Sequence, residues 1–303
     1  MSAASLAATL RASIAQSWRG SDHTLELVIA AVFAGGHVLL EDVPGVGKTT
    51  LASSLARAIG GRFMRVQGTA DLLPGDLTGM VVLVPGQVEP AFHPGPLFAN
   101  VVLADEVNRA PPRTQSALLE AMAEGSVTVD GVTRQLPQPF LVIATQNPHD
   151  HHGTYALPES QLDRFLIRLS LGYPTRDDER AILRASPKRA STAESVTDAS
   201  HVLDAAREVD AVRVADAIED WMLSVAAASR VHPRLLRGVS PRGTAAWHRV
   251  ARALALVRGR AFVIPEDVRD LGVVVLGHRV VTRASEDGAD VIAALLREHA
   301  SPG

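Results

Sequence analysis

Cysteine is absent from the 303 residues, and lysine occurs only at Lys48 and Lys188. The lack of cysteine excludes disulfides, thiolate metal sites and cysteine nucleophiles. Lysine and arginine together number 30, and all of them except these two lysines are arginines. A compact ammonium fits between phosphates in a way that a guanidinium does not. We therefore interpret Lys48, which follows a glycine-rich stretch, as a phosphate ligand.

Long hydrophobic runs and a positive net charge are absent too. No stretch reaches the ~18 apolar residues of a transmembrane helix, and the longest candidate, 27–40, is interrupted by Gly35, Gly36 and His37. The N-terminus lacks the apolar segment of a signal peptide. The net charge of −3 disfavours a nucleic-acid coat. We expect a cytoplasmic protein without a membrane span, and we do not expect nucleic acid as its partner.

Length and composition allow two domains. The hydrophobic fraction of 47% supplies a sizeable core, and 303 residues are enough for two domains of ordinary size. Strand and helix patterns fill 1–175, whereas 196–303 shows little strand signal. Charged and small residues dominate between them. We predict a nucleotide-binding core at 1–175, a linker at 176–195 and a helical domain at 196–303.

The segment 38–50 joins an apolar run, a glycine loop and a helical pattern. This order is typical of the phosphate-binding P-loop, in which backbone N–H groups and a helix N-terminus face a triphosphate. Asp42 replaces the first glycine of G-x-x-x-x-G-K-[ST], so the match is incomplete. Lys48 would reach the β- and γ-phosphates, and Thr49 would ligate Mg²⁺. The residues expected to contact the nucleotide are Pro44, Gly45, Val46, Gly47, Lys48, Thr49 and Thr50.

Two carboxylates, Asp105 and Glu106, end the apolar run 101–106. Ligands collect at the carboxyl ends of parallel strands, which would bring this pair beside the P-loop. Asp105 would then hold Mg²⁺ through water, and Glu106 would polarise the attacking water. Acidic pairs also occur as solvated strand caps, but an upstream P-loop favours the functional interpretation.

Polar residues also follow two later strands. Asn147 comes after the predicted strand 140–145, where it could bind both the γ-phosphate and the attacking water, although Asn before Pro is also a common turn residue. Arg164 precedes the last predicted strand, 166–169. It could pair with a surface carboxylate, or it could reach a neighbouring subunit's γ-phosphate and stabilise the charge that develops there.

Two hairpins and a set of C-terminal helices complete the pattern. A hairpin at 80–92 would turn at Pro85-Gly86, with a plain surface loop as the alternative, and a second hairpin at 127–133 has an Asp-Gly turn. Ser240-Pro241 is typical of a helix start. Helices are predicted at 199–208, 214–230, 241–258, 265–276 and 289–298.

An arginine-rich stretch, 230–260, holds eight arginines and no acidic residue. It could be a nucleic-acid patch. We favour a solvated helix face with one arginine, Arg242, turned to the nucleotide, because Trp247 is the single aromatic residue of the stretch and gives no series of rings for base stacking.

Taken together, these motifs resemble the MoxR family of AAA+ ATPases, and the resemblance covers almost the whole chain. Each motif is short, but their number and order make the match specific. The segments that carry it are 40–49 (LEDVPGVGKT), 104–122 (ADEVNRAPPRTQSALLEAM), 144–148 (ATQNP), 157–165 (LPESQLDRF), 240–242 (SPR) and 259–267 (GRAFVIPED).

The resemblance implies a fold and a set of roles. The fold is an αβα P-loop sandwich with a parallel central sheet, followed by a small all-helical lid. The hairpin at 80–92 looks like the helix-2 insert of this branch. Asn147 matches sensor 1, Arg164 the arginine finger and Arg242 sensor 2. Two other arginines are alternatives for the finger or for facing a neighbour, namely Arg168 and Arg113.

The activity implied by the resemblance is ATP hydrolysis with Mg²⁺ in a homo-oligomeric ring, expected to be a hexamer. Hydrolysis would change the angle between lid and core through Arg242. Family members are similar in acting with partners that carry von Willebrand factor A domains, to assemble or activate client enzymes and metal-cofactor sites. An alternative is a nucleic-acid-stimulated motor of the same AAA+ branch, and a third is a small-molecule kinase. Stimulation of the ATPase activity by DNA would identify the motor, and turnover that depends on an acceptor molecule would identify the kinase.

Overall fold

The computed structural model describes residues 1–83, 90–147, 154–184, 195–283, 286–299 and 301. The α-helices are α1 (Ala3–Ala15), α2 (Asp22–Phe33), α3 (Lys48–Ala58), α4 (Pro74–Thr78), α5 (Pro112–Glu124), α6 (Glu159–Leu162), α7 (Arg176–Arg184), α8 (Ala199–Val209), α9 (Asp216–Val231), α10 (Pro241–Val257), α11 (Pro265–Leu276) and α12 (Gly288–Glu298). The strands are β1 (His37–Glu41), β2 (Phe63–Gln67), β3 (Gly79–Val82), β4 (Ala91–Pro94), β5 (Val101–Asp105), β6 (Ser126–Val129), β7 (Val132–Gln135), β8 (Leu141–Gln146), β9 (Phe165–Leu169), β10 (Leu235–Arg237) and β11 (Val281–Thr282).

A five-stranded sheet forms the centre of the N-terminal part, in the order β2-β5-β8-β1-β9. Every neighbouring pair in it is parallel. The inner strands β1, β5 and β8 are short apolar runs and are buried on both faces, as parallel strands covered by helices are. The predicted parallel sheet is confirmed.

Alternation along the strands divides the apolar side chains between two faces. Val38 and Leu40 pack into a cluster with α1, α2 and α3. Leu39 points the other way, into a cluster with Leu118 and Met122 of α5. Helices therefore cover both faces of the sheet, and the predicted αβα sandwich is confirmed.

Both predicted hairpins contain paired antiparallel strands. In the first, β3 pairs with β4, with Val82 opposite Ala91, and its predicted turn at 85–86 lies outside the described residues. In the second, β6 pairs with β7 across Asp130 and Gly131, which both have positive φ, as a type I′ turn requires. The guanidinium of Arg134 lies 4.0 Å from the ring centre of Phe92, so a cation–π contact joins the two hairpins.

The C-terminal lid consists mainly of the five predicted helices, α8 to α12, and the predicted helical lid is confirmed. Ser240 caps α10, its Oγ accepting from the N–H of Gly243 at 3.0 Å. A short ladder of β10 with β11 was not predicted, because strands of two or three residues carry no periodic signal. Helix α7 lies inside the predicted linker 176–195, of which 185–194 is outside the described residues.

The lid packs on the first two helices of the chain rather than standing apart. Trp247 and Leu254 of α10 belong to the same buried cluster as Leu10 of α1 and Ile29 of α2. One apolar core thus runs from the sheet through α1 and α2 into the lid. The domain boundaries at 175 and 196 stay a prediction.

Candidate active site

The carboxyl ends of β1, β5 and β8 meet at one edge of the sheet and open into a cleft. Its volume of about 380 Å³ lies within the range of ligand pockets, roughly 300–1,000 Å³. It contains most residues that the sequence assigned to nucleotide and metal. The cleft is lined by Asp42, Pro44, Gly45, Gly47, Lys48, Thr49, Thr50, Arg65, Gln67, Asp105, Glu106, Thr145 and Asn147.

The P-loop backbone has the conformation that its glycines allow. Gly45 and Gly47 have φ of 89° and 91°, a left-handed region that other residues rarely adopt. Gly47 is the N-cap of α3 and lends it no side-chain cap. Because glycine has no side chain, Gly47 does not occupy the first N–H groups of α3. These donors and the positive end of the helix dipole suit an anion.

Lys48, the first residue of α3, lies among the acidic groups of the cleft. Its Nζ donates to the carbonyl of Asp42 at 2.7 Å. Burial lowers the pKa of the Lys48 ammonium, and the carboxylates of Asp42, Asp105 and Glu106 oppose that shift. The ammonium thus sits at the junction of the P-loop and the Asp105-Glu106 pair, where a phosphate would bridge them.

Asp42, the residue that departs from the general P-loop pattern, has a structural task. It is buried, and its carboxylate accepts from Ser170 Oγ at 2.7 Å and from the N–H groups of Leu171 at 2.6 Å and Gly172 at 3.2 Å. These bonds tie the start of the P-loop to the chain that leaves β9. Sequence reasoning missed this role, because the partners are far apart in the chain.

Asp105 and Glu106 are oriented by residues of the neighbouring strands. Thr145 Oγ1 donates to Asp105 Oδ1 at 2.6 Å and accepts from the N–H of Glu106 at 2.9 Å. Arg65 pairs with Asp105 Oδ2 at 2.5 Å, and Gln67 Nε2 donates to Glu106 Oε2 at 2.9 Å. The sequence analysis did not identify Thr145, Arg65 or Gln67. Gln67 and Thr145 lie at or near the carboxyl ends of β2 and β8, and Arg65 lies in the middle of β2.

Glu106 adopts a left-handed backbone conformation, with φ of 52°. This is uncommon for a residue with a side chain, and such residues concentrate at functional sites. Arg109 Nε lies 3.2 Å from Glu106 Oε2. Asn147, at the end of β8, lines the same cleft, and the residues after it, 148–153, lie outside the described residues.

Thr49 and Asp105 offer a hydroxyl and a carboxylate on the same cleft. Mg²⁺ commonly keeps several waters and binds through one or two carboxylates plus substrate phosphates. Within the described ranges, no cluster of three or more His, Asp or Glu residues has the geometry of a protein-only metal site. This donor set fits a magnesium ion that arrives with a nucleotide.

A second cleft, of about 370 Å³, is lined by the P-loop residue Val46 and by residues from the segments 18–22 and 171–175. The indole Nε1 of Trp18 is buried without a hydrogen-bond partner in the described part of the chain. It lies 3.3 Å from the position of a Cβ placed on Gly47. A wall of mixed polar and apolar residues with one unused donor beside the P-loop suits the base and sugar of a nucleotide.

Neither Arg164 nor Arg242 lines the P-loop cleft or the second cleft. Arg164 comes just before Phe165, which pairs with His37 at the amino end of β1, whereas the P-loop follows the carboxyl end. A five-residue strand separates these two ends by roughly 16 Å. Arg242, on the lid, lies 3.9 Å from the carboxylate of Asp163, the residue that precedes Arg164.

Arg168, the alternative for the finger, is paired within its own chain. It donates to Glu41 Oε2 at 3.3 Å and to Asp287 Oδ1 at 2.8 Å. It thus joins the end of β1 to the start of α12. Arg164 donates Nη1 to the carbonyl of Leu119 at 3.2 Å and is half-buried.

Comparison with known proteins supplies the family. The family model of the ATPase family associated with various cellular activities (AAA) matches residues 37–167, and that of the AAA lid domain matches 227–298. The chain is 41% identical to Chaperone MoxR1 of Mycobacterium tuberculosis (strain ATCC 25618 / H37Rv), over 86% of this chain and 72% of that protein. The chain belongs to the MoxR family of AAA+ ATPases. It is also 49% identical to YeaC of Bacillus subtilis (strain 168), over 84% of this chain and 80% of that protein.

The fold of this MoxR-family ATPase is shared with a solved structure. A protein from Cytophaga hutchinsonii ATCC 33406, assigned as an ATPase, has a TM-score of 0.91 and 31% identity to it, covering 99% of this chain and 96% of that one. Among the described residues of the MoxR-family chain, the helices are all too short or too polar to cross a membrane.

Proposed function

We propose that this MoxR-family ATPase hydrolyses ATP at sites shared between adjacent subunits of a homo-oligomeric ring, a hexamer in the simplest case. One observation carries the proposal. The phosphate-binding cleft and the two arginines assigned to it, Arg164 and Arg242, lie at opposite ends of the strand pair β1–β9. A head-to-tail contact between copies brings such opposite surfaces together, and repeated contacts of this kind close into a ring.

Within one subunit, the P-loop binds the phosphates. The backbone N–H groups of residues 45–50 and the Lys48 ammonium would offset their charge, and Thr49 and Asp105 would hold the accompanying Mg²⁺. The wall at Trp18 contains the base. ATP supplies the transferable γ-phosphoryl group, and the Mg²⁺ bound with it would offset the charge on the phosphate oxygens.

Glu106 and Asn147 act on the water. The Glu106 carboxylate accepts a hydrogen bond from the attacking water and takes its proton as the water oxygen bonds to the γ-phosphorus. The bond from that phosphorus to the bridging oxygen breaks, ADP leaves, and Asn147 orients the same water. From the next subunit, Arg164 stabilises the negative charge that develops on the transferred group. Arg242 joins Arg164 in that site, a role different from the change of lid angle within one chain that the sequence suggested.

The ring would use this cycle to remodel or activate partner proteins. The relative named Chaperone MoxR1 supports a chaperone-like task. By family resemblance, the partner is a protein with a von Willebrand factor A domain, and the client is an enzyme that needs assembly or insertion of a metal or cofactor.

The test is the ATPase rate as a function of protein concentration, for wild type, Glu106→Gln and Arg164→Ala. Wild-type specific activity should rise with concentration. Removing one charge-stabilising donor costs about 10²–10³ in turnover, so Arg164→Ala should bind ATP and barely hydrolyse it, like Glu106→Gln. Arg207→Ala, at an exposed ion pair of the lid, is the matched control and should behave as wild type.

Mixing the two inactive variants isolates the shared site. In a random equal mixture, about one interface in four combines an intact Glu106 with an intact Arg164 from the neighbour. Activity should therefore return to roughly that fraction of wild type. Rates that do not depend on concentration, together with no recovery on mixing, would mean a self-contained site and would rule out the ring mechanism.

A further inference from the structure

The residue before Arg164, Asp163, forms an ion pair with a buried arginine of the lid. Arg279, in the turn after α11, has a side chain that is 3% exposed, and its Nε lies 2.8 Å from Asp163 Oδ1. The other carboxylate oxygen of Asp163 lies 3.9 Å from Arg242 Nε. The Asp163 carboxylate therefore lies between the buried Arg279 and the exposed Arg242, both of the lid. It is next in the chain to Arg164, the proposed finger.

The same lid turn holds the main chain that follows Arg164. Arg279 Nη2 donates to the carbonyl of Phe165 at 2.6 Å, and Nη1 donates to that of Leu166 at 3.0 Å. The buried ring of His278 bonds the Phe165 carbonyl through Nε2 at 3.0 Å. Because a carbonyl only accepts, this nitrogen carries the proton. The backbone at Arg164 is thus fixed by residues more than a hundred positions later in the chain.

Close packing fixes the turn itself and its relation to α10. A Cβ on Gly277 would lie 2.9 Å from the Cα of Ala289, and one on Gly288 would lie 2.4 Å from the carbonyl of Gly277. A Cβ on Gly243, the neighbour of Arg242, would lie 3.2 Å from Arg279 Cδ. The start of α10 therefore rests on the Arg279 side chain, which sets where Arg242 emerges.

We propose that Asp163 and Arg279 are positioning residues that hold Arg164 and Arg242 together as one unit for the neighbouring subunit's ATP site. The inference rests on the proposed shared site. Arg242 and Arg279 carry like charges and repel each other at close range. The Asp163 carboxylate between them offsets that repulsion. Without it, Arg242 would turn away, and the chain before β9 would lose its link to the lid.

The variant Asp163→Asn keeps the shape of the side chain and removes its charge. It leaves the cleft of its own subunit intact, so affinity for a fluorescent ATP analogue should stay within about twofold while turnover falls. A misplacement of about 1 Å at a reacting group can cost 10²-fold, so we expect a loss of about tenfold to hundredfold. Asp204→Asn, at an exposed lid ion pair, is the matched control.

Mixing assigns the defect to one face of the subunit. Asp163→Asn mixed with Glu106→Gln should recover activity, because the Glu106→Gln subunit supplies an intact arginine unit. Asp163→Asn mixed with Arg164→Ala should recover none, because both lack that unit. The opposite pattern, or full turnover by Asp163→Asn alone, would overturn the inference.

Two further measurements separate this inference from other causes. Recovery by the pair Arg164→Ala and Glu106→Gln tests the shared site itself, so its failure would remove the proposed function, whereas its success with no recovery for Asp163→Asn would remove only the inference. Arg279→Lys keeps the charge but not the planar fork, and should show the same mixing pattern. Loss of nucleotide binding in both positioning variants would assign the pair to folding and overturn the proposal.

Discussion

At the scale of the residue, His37 shows how a polar side chain can be part of a core. It is buried at the start of β1, where Nδ1 accepts from the N–H of Val142 at 3.0 Å and Nε2 bonds the carbonyl of Met122 at 3.0 Å. Since Nδ1 accepts, the ring is neutral. Burial lowers the pKa of His37 from 6.5 to about 4. The ring thereby joins β1 to β8 and to α5.

This predicts that stability depends on pH. The unfolded chain binds a proton at His37 below pH 6.5, whereas the folded chain does so only near pH 4. The contribution of neutral His37 to the free energy of unfolding is therefore fully present above pH 6.5. It falls as the pH is lowered through that window, by up to about 3 kcal/mol. Burial also lowers the pKa of His278, which adds to the effect.

Urea unfolding between about pH 7.5 and pH 5 measures this dependence. We expect His37→Gln to be less stable than wild type at neutral pH and to lose less stability as the pH falls. His23→Gln, at an exposed histidine of α2, should keep the wild-type slope. An unchanged slope in His37→Gln would show that this histidine does not titrate on unfolding.

At the scale of the element, helix α10 and its flanks explain the arginine-rich stretch. Arg249 pairs with Asp210 at 3.1 Å, and Arg252 donates to the carbonyl of Val212 at 2.9 Å. The other arginines of 230–260 likewise bond carboxylates or carbonyls of this chain. They are Arg230, Arg234, Arg237, Arg242, Arg258 and Arg260. Apart from Arg242, which is exposed and assigned to the neighbouring ATP site, these arginines have donor groups engaged within the chain and offer fewer of them to nucleic-acid phosphates.

We therefore expect nucleic acid to leave the ATPase rate unchanged. A protein that neutralises several phosphates binds DNA with an affinity that falls steeply with salt. The measurement is the wild-type ATPase rate with and without single- and double-stranded DNA at low and at physiological salt. Stimulation that disappears as salt rises would favour the alternative nucleic-acid motor over the remodelling ATPase.

At the scale of the whole molecule, an ion-pair network closes the contact between the lid and α2. Arg258 bonds Asp267 at 3.0 Å and Glu26 of α2 at 3.3 Å, and Arg260 bonds the same Asp267 at 2.6 Å. Asp267 is fully buried. Together with the shared apolar core, this network predicts that lid and sheet domain unfold as one unit.

Unfolding followed by two probes tests this expectation. In a Trp18→Phe background, fluorescence reports on Trp221 and Trp247 of the lid, while far-UV circular dichroism reports on the whole chain, and the two transitions should coincide. Asp267→Asn leaves two arginines without their buried carboxylate and should lower both transitions, by about 3 kcal/mol or more. Asp204→Asn should shift neither. Separate transitions would mean that the lid opens independently.

The sequence by itself determined the P-loop, the Asp105-Glu106 pair, the parallel sheet and the lid helices. These features depend on neighbours in the chain: glycines that allow positive φ, apolar residues at strand or helix period, and prolines and serines at helix starts. The motif order was enough to identify the family. The short ladder of β10 with β11 escaped prediction because strands of two or three residues carry no periodic signal. Helix α7 was missed although Thr175 caps its start and acidic residues fill its first turn.

Only the tertiary structure decided which arginines lie where and what holds them. Asp42 bonds Ser170 across 128 positions, and Asp163 bonds Arg279 across 116. Local patterns carry no information about such partners, because the strand order β2-β5-β8-β1-β9 and the packing of the lid on α1 and α2 bring them together. For the same physical reason, the separation of Arg164 from the cleft, and with it the expectation of a shared site, became visible only in the folded chain.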